Sequence, residues 1–121
     1  MKGTVEVGLS PLADLAVDSW RLQQWAFVNG HEKERVVARQ ASRALSSFLS
    51  GIGFETYDLA GQPYDPGLAV EVVDSEEDAD ALTGSARIQE MLAPIVLRNG
   101  ELIRAGQVAV SRGTLNQEVG K

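Results

Sequence analysis

His31 is the only histidine in the chain and has Glu32 and Glu34 close beside it. A histidine among carboxylates is the pattern of a metal ligand or a general base, but either role needs further groups converging on the imidazole. No cysteine is present, which excludes thiolate ligands, thiol catalysis and disulfides together. His31 therefore reads as a solvated residue at a helix start. The second candidate is the acidic run Asp74-Ser75-Glu76-Glu77-Asp78-Ala79-Asp80. A calcium loop of the EF-hand type, counted from Asp74, needs glycine at its sixth position and glutamate at its twelfth, where this chain has Ala79 and Ser85. The run reads as a solvated loop that continues through Leu82-Thr83-Gly84. Gly100, Gly106 and Gly113 are spaced for turns and bulges, not for a phosphate cradle opening a helix. Most acids gather in one loop, so no cleft-bound pair for hydrolysis emerges, and the serines have no histidine that the sequence places beside them. The expectation is a protein that is not an enzyme, with no catalytic residue, cofactor or metal.

Charge narrows the partners. The formal net charge is −6, and no stretch supplies the basic footprint that nucleic acid needs for counterion release. Nowhere do about 18 apolar residues run together, and the opening MKGTVEVGLSPL has no apolar signal core. The expectation is no nucleic acid, no membrane and a cytoplasmic location. At 121 residues, 44% of them apolar, the chain has enough for one domain, or for a compact domain with a helical appendage. Aromatics are scarce, so the core must come from Leu, Val, Ile and Ala.

Any surface must be positioned by elements that the pattern reveals. Ser10-Pro11 opens a helix as cap and first helical residue, with Asp14 in the first turn. The helix runs to about Val28 with an apolar stripe through Leu12, Leu15, Ala16, Ser19, Leu22 and Ala26, and with Trp20 and Trp25 off its centre. Asn29-Gly30 stops it. A second helix begins near 31–34 and carries Val37, Ala41, Ala44 or Leu45, Phe48 and Ile52 on one face, ending in Ser50-Gly51-Ile52-Gly53. Two such helices have more apolar face than a single hairpin hides, so a dimeric four-helix bundle is expected. After Gly53 the period changes to two. A short strand from Phe54 closes at Ala60-Gly61, and Asp65-Pro66-Gly67 predicts a type II turn feeding the strand Leu68 to Val73. Strands follow at 86–93 and 95–97, then an Asn99-Gly100 hairpin, then a strand from Leu102 to Ser111 with a bulge at Gly106. The predicted organisation is a tail at 1–10, a helical dimerisation hairpin at 11–52, a small all-β domain at 53–113 and a polar tail at 114–121. The fold class is α+β.

Several stretches together resemble a known family. Gly53-Phe54-Glu55, then Gly-Gln-Pro-Tyr-Asp-Pro-Gly-Leu from Gly61, an acidic loop, and Val-Leu-Arg-Asn-Gly-Glu-Leu-Ile-Arg-Ala-Gly-Gln-Val-Ala-Val up to Val110 are similar in order and spacing to the β-domain of GrpE. Upstream, Val17-Asp18-Ser19-Trp20 is similar to the family's first bundle helix, so the likeness spans about residues 12 to 112. GrpE proteins are nucleotide exchange factors, the co-chaperones of DnaK-type heat-shock ATPases. The resemblance implies a cytoplasmic homodimer that grips the open nucleotide-binding domain and promotes ADP release during protein folding and stress response.

Carried over by position, the partner contacts implied are Trp25 and Ala26 on the first helix, Tyr64 and Pro66 at the corner, Met91 before the hairpin, and Val110 on the last strand. The bland alternative for each is that it packs its own domain. The dimer interface is expected from Leu12, Leu15, Leu22, Val37, Ala41 and Phe48. Arg104 reads as a strand-face charge. Three departures stand out. Family members usually carry a long N-terminal stalk helix, whereas this sequence starts almost at the hairpin. Ala69 stands where a histidine commonly follows the corner. The usual Gly-Tyr before the hairpin is replaced around Pro94-Ile95-Val96. These departures leave open a dimeric adaptor or scaffold that keeps a GrpE-like fold without exchange activity.

Overall fold

Helix α1 spans Leu9–Val28 and helix α2 spans Glu32–Gly51 in a computed structural model that describes residues 3–28 and 32–116. The Asn29-Gly30 stop and His31 lie outside the described residues. The small side chains Ala13, Ala16, Ser19 and Ala26 of α1 and Ala38 and Ser42 of α2 are all buried, together with Val17 and Leu49. Small residues along a helix seam let two backbones approach closely, which sets this pair apart from one held by large interdigitating side chains. Glu32 and Glu34 lie in the first turn of α2, where the helix dipole favours them. Helix α1 begins at Leu9, one residue before the expected cap, so Ser10 is helical and the first turn holds no acid. Asp14 instead pairs with Arg104 at 2.5 Å, and Arg104 also donates to the Ser10 carbonyl at 3.4 Å. Arg104 is thus a tie between strand and helix, which the reading of it as a simple strand-face charge did not foresee.

Among the described residues six strands follow: β1 Phe54–Tyr57, β2 Val70–Leu82, β3 Ala86–Ala93, β4 Ile95–Arg98, β5 Glu101–Arg104 and β6 Gly106–Leu115. They form two three-stranded sheets, ordered β1-β4-β5 and β2-β6-β3. The α+β class is therefore correct, a helical hairpin followed by an all-strand region. Among the described residues no helix is long and apolar enough to cross a membrane.

The described residues fall into two compact units, one of those up to Thr56 together with Val96–Arg104, the other of Tyr57–Ile95 together with those from Ala105 onward. In the first unit the β4–β5 hairpin goes with the helices because it caps them. Asn99 N–H donates to the Gly53 carbonyl at 2.9 Å, Arg98 Nε donates to the Ile52 carbonyl at 3.0 Å, and the Arg98 guanidinium lies over the Phe54 ring at 5.9 Å. Asn99 and Gly100 both have positive φ, of 51° and 84°, the two-residue turn that an Asn-Gly pair specifies. Gly53 has φ 93°, and a Cβ there would stand 2.2 Å from Asn99 Oδ1, so this junction needs glycine on both grounds.

In the second unit β6 is the central strand, parallel to β2 and antiparallel to β3. Ile88, Val108 and Val110 are fully buried and Met91 nearly so. The acidic run is not a loop. It continues β2, with Glu76 opposite Ser111 and Glu77 opposite Arg112. Sequence pattern misses this because the hydrogen bonds come from β6, more than thirty residues away, and overrule the weak β-propensity of Asp and Glu. Six carboxylates on this edge strand also discourage pairing with another chain. Gly113 permits the close approach, since a Cβ there would lie 2.0 Å from the Leu82 carbonyl oxygen. Gly106 begins β6 where the chain changes sheets, in place of the expected bulge within one strand, and Thr114 and Leu115 belong to β6 rather than to a tail.

Candidate functional site

Two surfaces stand out, one in each unit. On the helices, Leu22 and Trp25 of α1 face Val37, Ala38 and Ala41 of α2 across an open apolar groove of about 620 Å³, with Lys33 and Glu34 at its rim. The apolar residues of α2 divide into two stripes about one position apart. Ala38, Ser42 and Leu49 turn toward α1 and are buried, whereas Val37 and Phe48 remain 65% and 55% exposed and Ala41 is exposed with them. Of the expected dimer residues, Leu12, Leu15 and Leu22 are half-buried and Val37, Ala41 and Phe48 face outward. Trp25, expected to contact a chaperone, lines the same groove as Leu22, Val37 and Ala41. Ala26 is buried at the helix seam and cannot be a contact.

The second surface is the Asp-Pro-Gly corner. Leu68 N–H donates to the Asp65 carbonyl at 2.9 Å and Gly67 N–H donates to Asp65 Oδ1 at 2.8 Å. The corner is a turn as expected, but not of type II, because Gly67 lacks the positive φ which that type needs at its third residue. The aspartate side chain holds the turn instead. Before it, residues 61–64 run along the outer edge of β3. Gly61 N–H donates to the Ile88 carbonyl and Ile88 N–H to the Gln62 carbonyl, each at 2.8 Å, and Tyr64 N–H donates to the Ala86 carbonyl at 2.9 Å. Arg87 Nη1 adds a bond to the Gly61 carbonyl at 2.6 Å. Tyr64 is half-buried and Pro66 exposed, so the corner is a stiff knuckle with both side chains at the surface.

Met91 and Val110 are elsewhere. Val110 is fully buried and Met91 is 6% exposed, its methyl lying against Gly106, where an added Cβ would sit 2.9 Å from it. Both fill the core of the strand unit, and their expected role as partner contacts is withdrawn. The structure thus leaves Trp25, Tyr64 and Pro66 at the surface out of six expected contacts. No protein-family model matches this chain, and no curated protein is found to match it.

One neighbour of the corner went unread. Arg112 places its guanidinium over the Tyr64 ring at 5.9 Å. Period-two alternation from Val108 and Val110 reaches Arg112 on the same face, but the sequence reading ended the strand at Ser111. Among the described residues no group of three or more histidines and acids is placed to hold a metal ion.

Proposed function

We propose that the protein is a dimeric nucleotide exchange factor of the GrpE type, acting on a DnaK-type chaperone ATPase. What supports the reading is the resemblance of four ordered stretches, joined to the order of elements on which that resemblance depends: a helical hairpin, then two small three-stranded sheets. The observation that carries it is the Tyr64-Asp65-Pro66-Gly67 corner, tied to β3 by backbone bonds and braced by its own aspartate. A rigid contact is what such a task requires, since a loose one would yield before the nucleotide cleft did.

Exchange of this kind makes and breaks no covalent bond. A factor that binds the open cleft more tightly than the closed one shifts the population toward the open state, and nucleotide weakens the factor by the same ratio. Each ~1.4 kcal/mol of preference is worth about tenfold. The outward stripe of Val37, Ala41 and Phe48 beside the Trp25 groove supports the second half of the proposal, that two copies pair through their helices.

A second reading is an adaptor that binds without opening the cleft. It is favoured by the burial of Ala26, Met91 and Val110, which leaves half of the family's contact set, and by Ala69 in place of the histidine. Stopped-flow release of a fluorescent ADP analogue from the chaperone separates the two. Acceleration that is abolished in a folded Tyr64→Ala variant supports exchange, and binding with an unchanged release rate supports the adaptor.

A further inference from the structure

Beside the corner, Arg112 is a cation that the exchange reading leaves unused. It meets Tyr64 because three extended segments lie side by side. Arg112 is the register partner of Ala86, and Ala86 accepts the Tyr64 N–H bond. Across the other side of β6 its register partner is Glu77, yet the guanidinium lies over the tyrosine ring, and the ion pairs among the described residues are Arg21 with Asp18 and Arg104 with Asp14. At 5.9 Å the guanidinium is within reach of the ring's quadrupole, an attraction that uses none of its five N–H donors as hydrogen bonds and leaves them for a planar acceptor. The nearest acid in sequence to the ring, Asp65, has an oxygen committed to the Gly67 N–H.

We propose that Tyr64 and Arg112 form a carboxylate-reading pair that docks the corner on an acidic loop of the partner ATPase. This rests on the exchange-factor reading and adds to it the chemistry of the surface that is gripped. A chain of net charge −6 repels an acidic loop over most of its surface. Arg112, braced against Tyr64 on an edge where Arg87 is already bonded to the Gly61 carbonyl, then sets where the loop settles, which gives register as well as attraction. The planar fork of arginine suits a carboxylate in two-point contact, which the point charge of lysine does not reproduce.

The test is the affinity for the nucleotide-free nucleotide-binding domain of a DnaK-type chaperone, measured at low and at high salt. Arg112→Ala should weaken binding about tenfold and flatten its salt dependence. Arg112→Glu should weaken it about a hundredfold, with Arg112→Lys close to the alanine variant. In the double variant Tyr64→Leu with Arg112→Ala, the loss should be less than the product of the two single losses. Arg39→Glu, the same charge change at an exposed site on α2, should leave the affinity within about threefold. Circular dichroism checks that each variant is folded. Equal loss for Arg39→Glu and Arg112→Glu would reduce the effect to net charge and overturn the proposal. Wild-type binding with no loss in the Arg112 variants would overturn this inference and spare the exchange reading. No binding by the wild-type chain would end both.

Discussion

The helix pair and the sheet around β6 are buried through different residues. Between α1 and α2 the buried positions are mostly alanine and serine, while Trp25, Val37 and Phe48 remain outward. Around β6 the buried positions include Ile88, Met91, Val108 and Val110 beside Ala93 and Ala109, and the exposed stretch of β2 is rich in acids. Burial of large apolar side chains is the main favourable term in folding, at about 25 cal/mol per Å². The strand unit therefore gathers its stabilisation within itself, whereas the helices gain less from their mutual seam and leave Trp25, Val37 and Phe48 exposed.

The hardest test of that contrast falls on the strand unit. Val110→Asp would place an unpaired charge in a site with no exposure and should remove about 4 kcal/mol or more in urea unfolding; a loss below about 1 kcal/mol would mean that β6 is not the centre of its own core. Next comes the junction at Gly53. Gly53→Ala meets both a positive φ and the Asn99 side chain and should lose about 1–3 kcal/mol. Partial recovery in Gly53→Ala with Asn99→Gly would assign part of that loss to the side-chain clash. Arg104→Ala tests the tie between β5 and α1. That ion pair is largely exposed, so the loss should stay within about 1 kcal/mol and shrink in high salt. The smallest effect on folding of the single chain is expected for Val37→Glu, within about 0.5 kcal/mol. The same change should convert a dimer at micromolar concentration into a monomer by sedimentation. A wild-type chain that sediments as a monomer would remove the reason for the outward stripe.

Much of the helical unit could be read from sequence. The 3.6-residue period located both helices, and the Asn-Gly pair located the β4–β5 hairpin to the residue. The strand unit was less legible, chiefly because its local pattern is decided by strands distant in sequence. DSEEDAD has the composition of a loop and becomes strand only because β6 and Gly113 accept it. Asp65-Pro66-Gly67 predicted a corner, but the side chain of Asp65 selects a different turn from the one that glycine suggested. At the site, the resemblance placed Met91 and Val110 on strands without saying which way they face. Tyr64 and Pro66 were legible because a turn must come to the surface. Arg112 was not, since its partner lies forty-eight residues earlier in the chain.

The position of β6 also bears on how the protein is made. Strands β2 and β3 are joined by the short turn at Leu82-Thr83-Gly84-Ser85, yet they do not pair with each other. The strand between them, β6, follows both in sequence. A nascent chain leaving the ribosome would expose β2 with both edges unpaired and β3 with one, until β6 cleared the exit tunnel and slid into the gap. The carboxylates of β2 would then keep apart neighbouring chains caught at the same unfinished stage.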